Sequence, residues 1–418
     1  VPPPGYSRAP VRALPFVPAV CLALATLNLN IGLVLALWAS ADIETFFYQP
    51  RVLAVTHTIT LGWISLAIIG VLYRFVPALT KQPVRHPWLA RVQVATFLLG
   101  ASGLVSHFWI GHLSGMAWSA GVLLLSVVLL LCVQLPMLLR APRRDSTVVG
   151  ITVALFSFLG VATLGLLYAI DKIYPFLGGS VLSNIAAHAH LAVLGWVTLM
   201  ICAVSYRMIA AFVLPEQVLP VPALRQVVSL SVLVPALVVA ILLRTRLVAP
   251  LALLTGGSLA WYAAIVLRLL RARRMPIDWS IRHVQAALTH LGAATACGLV
   301  FVLGVDMGSS FGAHLGVAYG VFGLFGWASN FILGMGTRLA PGLAAASGLA
   351  PAPLFAPRRQ LAIFWCFNLG VVGIAGGALS DVPPLLSGGI LLTLCATLLF
   401  ARAMLARARQ MVRIHSRE

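Results

Sequence analysis

Charge is what this chain has least of. Asp and Glu number nine in 418 residues, and charged residues of both signs make up only 9%, against about a quarter in ordinary soluble domains. A water-soluble globular protein is excluded on that ground, and so is a disordered chain, which needs high charge and few apolar residues. Cysteine is also scarce and scattered. The six (Cys21, Cys132, Cys202, Cys297, Cys366, Cys395) never form C-x-x-C or C-x-x-C-H, so covalent haem, an iron–sulfur centre and a zinc knuckle lack their ligand spacing. The early apolar stretch lacks a small-residue cleavage site and is too long for a signal peptide.

What remains is apolar. Hydrophobic residues make up 61% and mean hydropathy is +1.02. A bilayer-spanning helix needs about 20 such residues. Twelve stretches qualify, near 12–39, 51–79, 89–112, 116–140, 147–170, 184–214, 222–243, 247–270, 283–305, 312–340, 360–380 and 384–409. The sequence therefore predicts an all-α integral membrane protein in contact with lipid. Its net charge of +19 reads as a topology code rather than a nucleic-acid surface. With the N-terminus inside, 24 of the 28 Lys and Arg fall on the cytoplasmic side, from Arg8 and Arg12 to the tail beyond Arg402, as the positive-inside rule requires. Only Arg51, Lys172, Arg244 and Arg246 fall outside. This predicts a multi-pass protein of a bacterial-type inner membrane with both termini cytoplasmic.

Three spans repeat one pattern. The second carries His57, Gly62-Trp63 and Tyr73-Arg74; the sixth carries His190, Gly195-Trp196 and Tyr206-Arg207; the tenth carries Gly326-Trp327 and Thr337-Arg338, with Val321 in the histidine position. The tryptophans are 133 and 131 residues apart. That spacing predicts one membrane domain, residues 1–418, built of three pseudo-symmetric four-helix units at about 12–140, 147–270 and 283–409. It is not the inverted repeat of common transporters.

Ionisable side chains inside hydrocarbon are costly and mark function. Six of the ten histidines fall in the outer third of the predicted spans: His57, His107, His112, His188, His190 and His314. One such histidine is ordinarily a hydrogen-bonded packing residue, but six at one depth point to metal or haem iron ligation by neutral imidazole. The rings of His188 and His190 lie about 200° apart on a helix, so one span can serve two flanks. Gly62, Gly70, Gly103, Gly111 and Gly195 offer room for a flat macrocycle or for close helix packing. His86, His283 and His415 fall at the cytoplasmic surface.

AHAHLAVLGWVTLM (187–200) and HTITLGWISLAIIGVLYRFVP (57–77) resemble the histidine spans of haem–copper oxidase subunit I, most closely the cbb-type oxidase and nitric oxide reductase branch. ILGMGTRLAPG (332–342) is similar to a late span of NnrS haem membrane proteins. The resemblance implies haem b, one or two, with His57, His188 and His190 as ligands. It admits copper, with His57, His107, His112, His188, His190 and His314 as metal candidates. In the better of two registers, His57 and His107 fall at copper positions and His188 and His190 at haem positions. Arg51, Arg244 and Arg246 become partners for haem propionates. A quinol or cytochrome donor and further respiratory subunits are implied partners. Val321 and Ser106 depart from the family pattern, and the inner halves of the spans carry no carboxylate ladder, which disfavours a proton-pumping oxidase. The expected function is respiratory electron transfer or nitric oxide and oxygen chemistry near the outer face. The alternative is a non-redox transporter, assembly factor or structural subunit that kept the fold and lost the metals.

Overall fold

A computed structural model describes residues 16–214, 221–346 and 354–415. Arg8, Arg12, the start of the first stretch and the side chain of His415 lie outside the described residues. The twelve stretches are helices long and apolar enough to cross a membrane: α1 (Val17–Trp38), α2 (Pro50–Thr80), α3 (Pro87–Ile110), α4 (Leu113–Leu139), α5 (Ser146–Asp171), α6 (Val181–Val213), α7 (Ala223–Leu242), α8 (Val248–Arg271), α9 (Trp279–Val302), α10 (Ser310–Arg338), α11 (Pro357–Ser380) and α12 (Pro383–Ala406). No strand occurs among the described residues. A chain in lipid must satisfy each backbone N–H and C=O within itself, and helices do this segment by segment.

α2, α6 and α10 form the core. They are 72%, 56% and 56% buried over their apolar windows, more than any other span. α1 packs against both α2 and α12, joining the two ends of the chain. Each core helix contains one π-helical stretch: Thr58–Ser65, Leu191–Thr198 and Phe322–Ser329. These stretches hold the Gly-Trp pairs and share a further detail, a hydroxyl residue two positions after each tryptophan.

Those hydroxyls close a cycle. Trp63 Nε1 donates to Ser329 Oγ at 2.9 Å, Trp196 Nε1 to Ser65 Oγ at 3.0 Å, and Trp327 Nε1 to Thr198 Oγ1 at 3.1 Å. Each core helix thus gives one hydrogen bond to a second and receives one from the third. All three indoles are buried, where an unpaired N–H is costly. The preceding glycine allows the approach of a neighbouring span. A Cβ on Gly62 would stand 2.9 Å from Asn28 Cβ, and one on Gly326 would stand 2.5 Å from His290 Cβ.

Other bonds recur at the same intervals. Tyr73 donates to Gln93 Oε1 at 2.8 Å, and Tyr206 to Gln226 Oε1 at 2.9 Å. Asp145 caps α5 through the Thr147 and Val148 N–H groups and pairs with Arg207. Asp278 caps α9 through Ile281 N–H and pairs with Arg338. A carboxylate at a helix N-terminus gains from both the orphan N–H groups and the dipole.

His283 departs from its sequence expectation. It is buried, not at a surface, and its Nδ1 lies 2.8 Å from Asn330 Oδ1. Gly334 is the reason, since a Cβ there would come within 2.7 Å of His283 Cβ, so α10 lies directly on the ring's helix. His290 Nε2 bonds Asn368 Oδ1 at 3.1 Å, and Asn330 Nδ2 donates to the same oxygen at 2.9 Å. The result is a His–Asn–Asn–His chain joining α9, α10 and α11.

Candidate functional site

α2 to α6 surround an apolar cavity of about 130 Å³. Its walls are leucine, valine, methionine and phenylalanine side chains, among them Leu53, Leu104, Phe108, Met116 and Phe158. Five polar residues interrupt them: Tyr48, His57, Tyr168, Lys172 and His188.

His57 comes from α2, at the entry to its π-helical stretch. Its Nδ1 lies 2.7 Å from Leu53 O. A carbonyl only accepts, so Nδ1 carries the proton and a neutral ring leaves the Nε2 lone pair free. This is the arrangement that orients a ligating imidazole. The Phe108 ring lies against it, with centroids 4.9 Å apart.

α5 supplies a stripe at helical spacing: Phe158, Val161, Gly165, Tyr168 and, at its end, Lys172. α6 places His188 beside that stripe. The Tyr168 and His188 rings meet edge to face at 5.9 Å. Gly165 makes room for the imidazole, as a Cβ there would stand 3.3 Å from His188 Cε1. The Tyr168 hydroxyl and His188 Nδ1 are buried and have no hydrogen-bond partner among the described residues. Lys172 donates to the Tyr48 hydroxyl and lies 4.8 Å from that ring's centroid. Asp171 Oδ1 accepts from the Phe176 and Leu177 N–H groups, turning the chain just beyond Lys172.

Of the residues singled out from sequence, His57 and His188 share this cavity, and the others do not line it. His190 points to the other flank of α6, as the 200° spacing predicts. Its Nδ1 bonds Ala186 O at 2.7 Å and its Nε2 lies 3.2 Å from the Tyr319 hydroxyl of α10. His107 bonds Ser119 Oγ at 3.1 Å and stands 5.5 Å, ring to ring, from His112, which caps α4 through Gly115 N–H. His314 Nε2 donates to Glu44 O at 3.1 Å. No three His, Cys, Asp or Glu side chains are grouped to hold a metal ion among the described residues.

The basic residues singled out from sequence do not line this cavity. Arg51 is paired with Asp42 at 3.6 Å and lies over Trp109, while Arg244 and Arg246 are exposed in the turn between α7 and α8. Lys172 is the cation that lines the cavity. Of the five glycines offered for a macrocycle, Gly62, Gly70, Gly103 and Gly195 pack against neighbouring side chains, and Gly111 ends α3 with φ +70°. Gly165 is the glycine on the cavity wall. Tyr168, Lys172 and Gly165 were legible in principle, because they continue the same face of α5 at intervals of three and four residues.

No family model matches the chain, and no curated protein matches it.

Proposed function

We propose that this chain is a membrane-embedded b-type haem protein with the architecture of haem–copper oxidase subunit I and NnrS proteins, three four-helix units around a common axis. It lies in a bacterial inner membrane with both termini cytoplasmic, and it serves electron transfer or nitric oxide and oxygen chemistry near the outer face. The observation that carries this proposal is His57. A histidine whose Nδ1–H is fixed by a carbonyl presents its Nε2 lone pair toward an apolar cavity.

His57 would hold haem b through Nε2, the apolar walls would face the porphyrin, and Lys172 would pair with a propionate. Bound there, haem would supply one-electron exchange and an iron atom open to small ligands. The protein's part is to orient the imidazole, exclude water and place the acidic edge beside Lys172. The Nε2 of His190 is taken up by Tyr319, which supports one haem per chain. Copper has no part in the proposal, because the histidines meant for it do not converge.

The test is pyridine-haemochrome and copper quantitation on protein purified from haem-replete cells, with a reduced-minus-oxidised spectrum. The expected result is about one haem b per chain, lost in His57→Ala. A folded, haem-free preparation would overturn the proposal in favour of a transporter, assembly or structural role.

A further inference from the structure

A second hollow lies on α4, apart from the cavity that His57 lines. That cavity takes its α4 wall from Met116, Ala120, Leu123 and Val127. On another face of the helix, Val128, Leu131, Leu135 and Leu139 follow at intervals of three and four residues. With Leu159 of α5 they line a groove of about 380 Å³, and Arg140 stands at its end. Val128 and Leu139 are exposed, so the groove opens on the outside of the bundle. From Val128 to Arg140 a helix rises about 18 Å, close to the half-thickness of a bilayer's hydrocarbon core, about 15 Å. An apolar groove of one leaflet's depth with an arginine at its end has the dimensions of one acyl chain below its phosphate. The charge agrees. Arg140 Nη1 reaches back to Pro136 O at 3.5 Å, the outer limit of a hydrogen bond. Arg143 and Arg144 follow in the exposed loop and have no ion pair among the described residues. The loop's one carboxylate, Asp145, is already engaged by Arg207 and by the α5 cap.

We infer that this groove seats one acyl chain of an anionic phospholipid whose phosphate pairs with the Arg140 guanidinium. The site is independent of the haem proposal. Arginine suits a phosphate because its planar fork can give two charge-assisted hydrogen bonds at once. Arg143 and Arg144 supply the selection between headgroups. A zwitterionic lipid brings an ammonium that these two arginines repel, whereas phosphatidylglycerol brings only the negative charge, and each basic residue near a membrane surface favours anionic lipid by about tenfold or less.

Native mass spectrometry tests it on the full chain, stripped of lipid in detergent and then titrated with phosphatidylglycerol or with phosphatidylcholine of the same acyl chains. The first phosphatidylglycerol adduct is expected at lower lipid concentration than the first phosphatidylcholine adduct. Arg140→Gln weakens phosphatidylglycerol binding by about two- to fivefold, the worth of one solvent-screened charge-assisted bond, and leaves phosphatidylcholine unchanged. Leu135→Trp fills the groove and weakens phosphatidylglycerol binding as well. Arg268→Gln, at an exposed arginine near the end of α8, changes neither. Equal uptake of the two lipids by the wild type would overturn the inference, since the groove would then hold unselective boundary lipid. Phosphatidylglycerol binding unmoved by Arg140→Gln would overturn it too, and because Arg140 is exposed that variant carries the test even where Leu135→Trp fails to fold.

Discussion

An imidazole's role here is set by which nitrogen the backbone claims. His57 and His190 both donate through Nδ1 to the carbonyl four residues earlier, yet only His57 keeps a free Nε2, because Tyr319 approaches His190. The same logic separates the cations. Arg51 is already paired with Asp42, whereas Lys172 donates to a phenol and feels the Asp171 carboxylate beside it. Lys172→Met is therefore expected to weaken haem retention by about two- to fivefold, the worth of one solvent-screened charge-assisted bond. Arg51→Met, Arg244→Met and Arg246→Met are expected to leave it unchanged. Competition for haem by an apo-globin acceptor measures all four. The histidines were legible because an ionisable group in an apolar span stands out from composition alone. Lys172 was legible only as the end of the α5 stripe, because a lone lysine after an apolar span reads as a topology signal rather than a cavity wall.

At the scale of the element, the three π-helical stretches set the register of the core. A helix that takes an extra residue into one turn re-aims the side chains beyond it, and here each indole N–H meets a hydroxyl of the next core helix. Ser65→Ala is expected to cost about 1–3 kcal/mol by stranding the Trp196 N–H in the core. Ser380→Ala removes only an exposed bond to Gly376 O and stays within about 0.5 kcal/mol. Unfolding of the purified variants in detergent, followed by circular dichroism, separates the two. Equal effects would mean the cycle contributes nothing. The Gly-Trp repeat was plain in the sequence, and so in retrospect was the hydroxyl after it. The π geometry was not, since apolar residues at a spacing of 3.6 and of slightly more leave the same composition. Nor was the polar chain from His283 to His290 visible, because Asn330 and Asn368 lie 38 residues apart and only helix packing brings them together.

Across the whole molecule the repeat is kept while its contents diverge. The first two core helices carry histidines at equivalent places, the third carries Val321, and the third repeat instead spends its polar side chains on bonds among α9, α10 and α11. The position in depth of the cavity that His57 lines decides which compartment it faces. His57 lies seven residues into α2, the end nearer Arg51, whereas Arg74, Lys81 and Arg85 lie at and beyond the other end. If the arginine-rich end faces the cytoplasm, as charge distribution dictates, the cavity opens toward the outer side. In a cysteine-free background, Arg143→Cys and Arg246→Cys place single thiols in exposed loops on either side of that assignment. A membrane-impermeant maleimide applied to intact cells is expected to label the second and reach the first only after lysis. Labelling in the reverse order would turn the cavity to the cytoplasm and leave its chemistry to an inner-face electron donor.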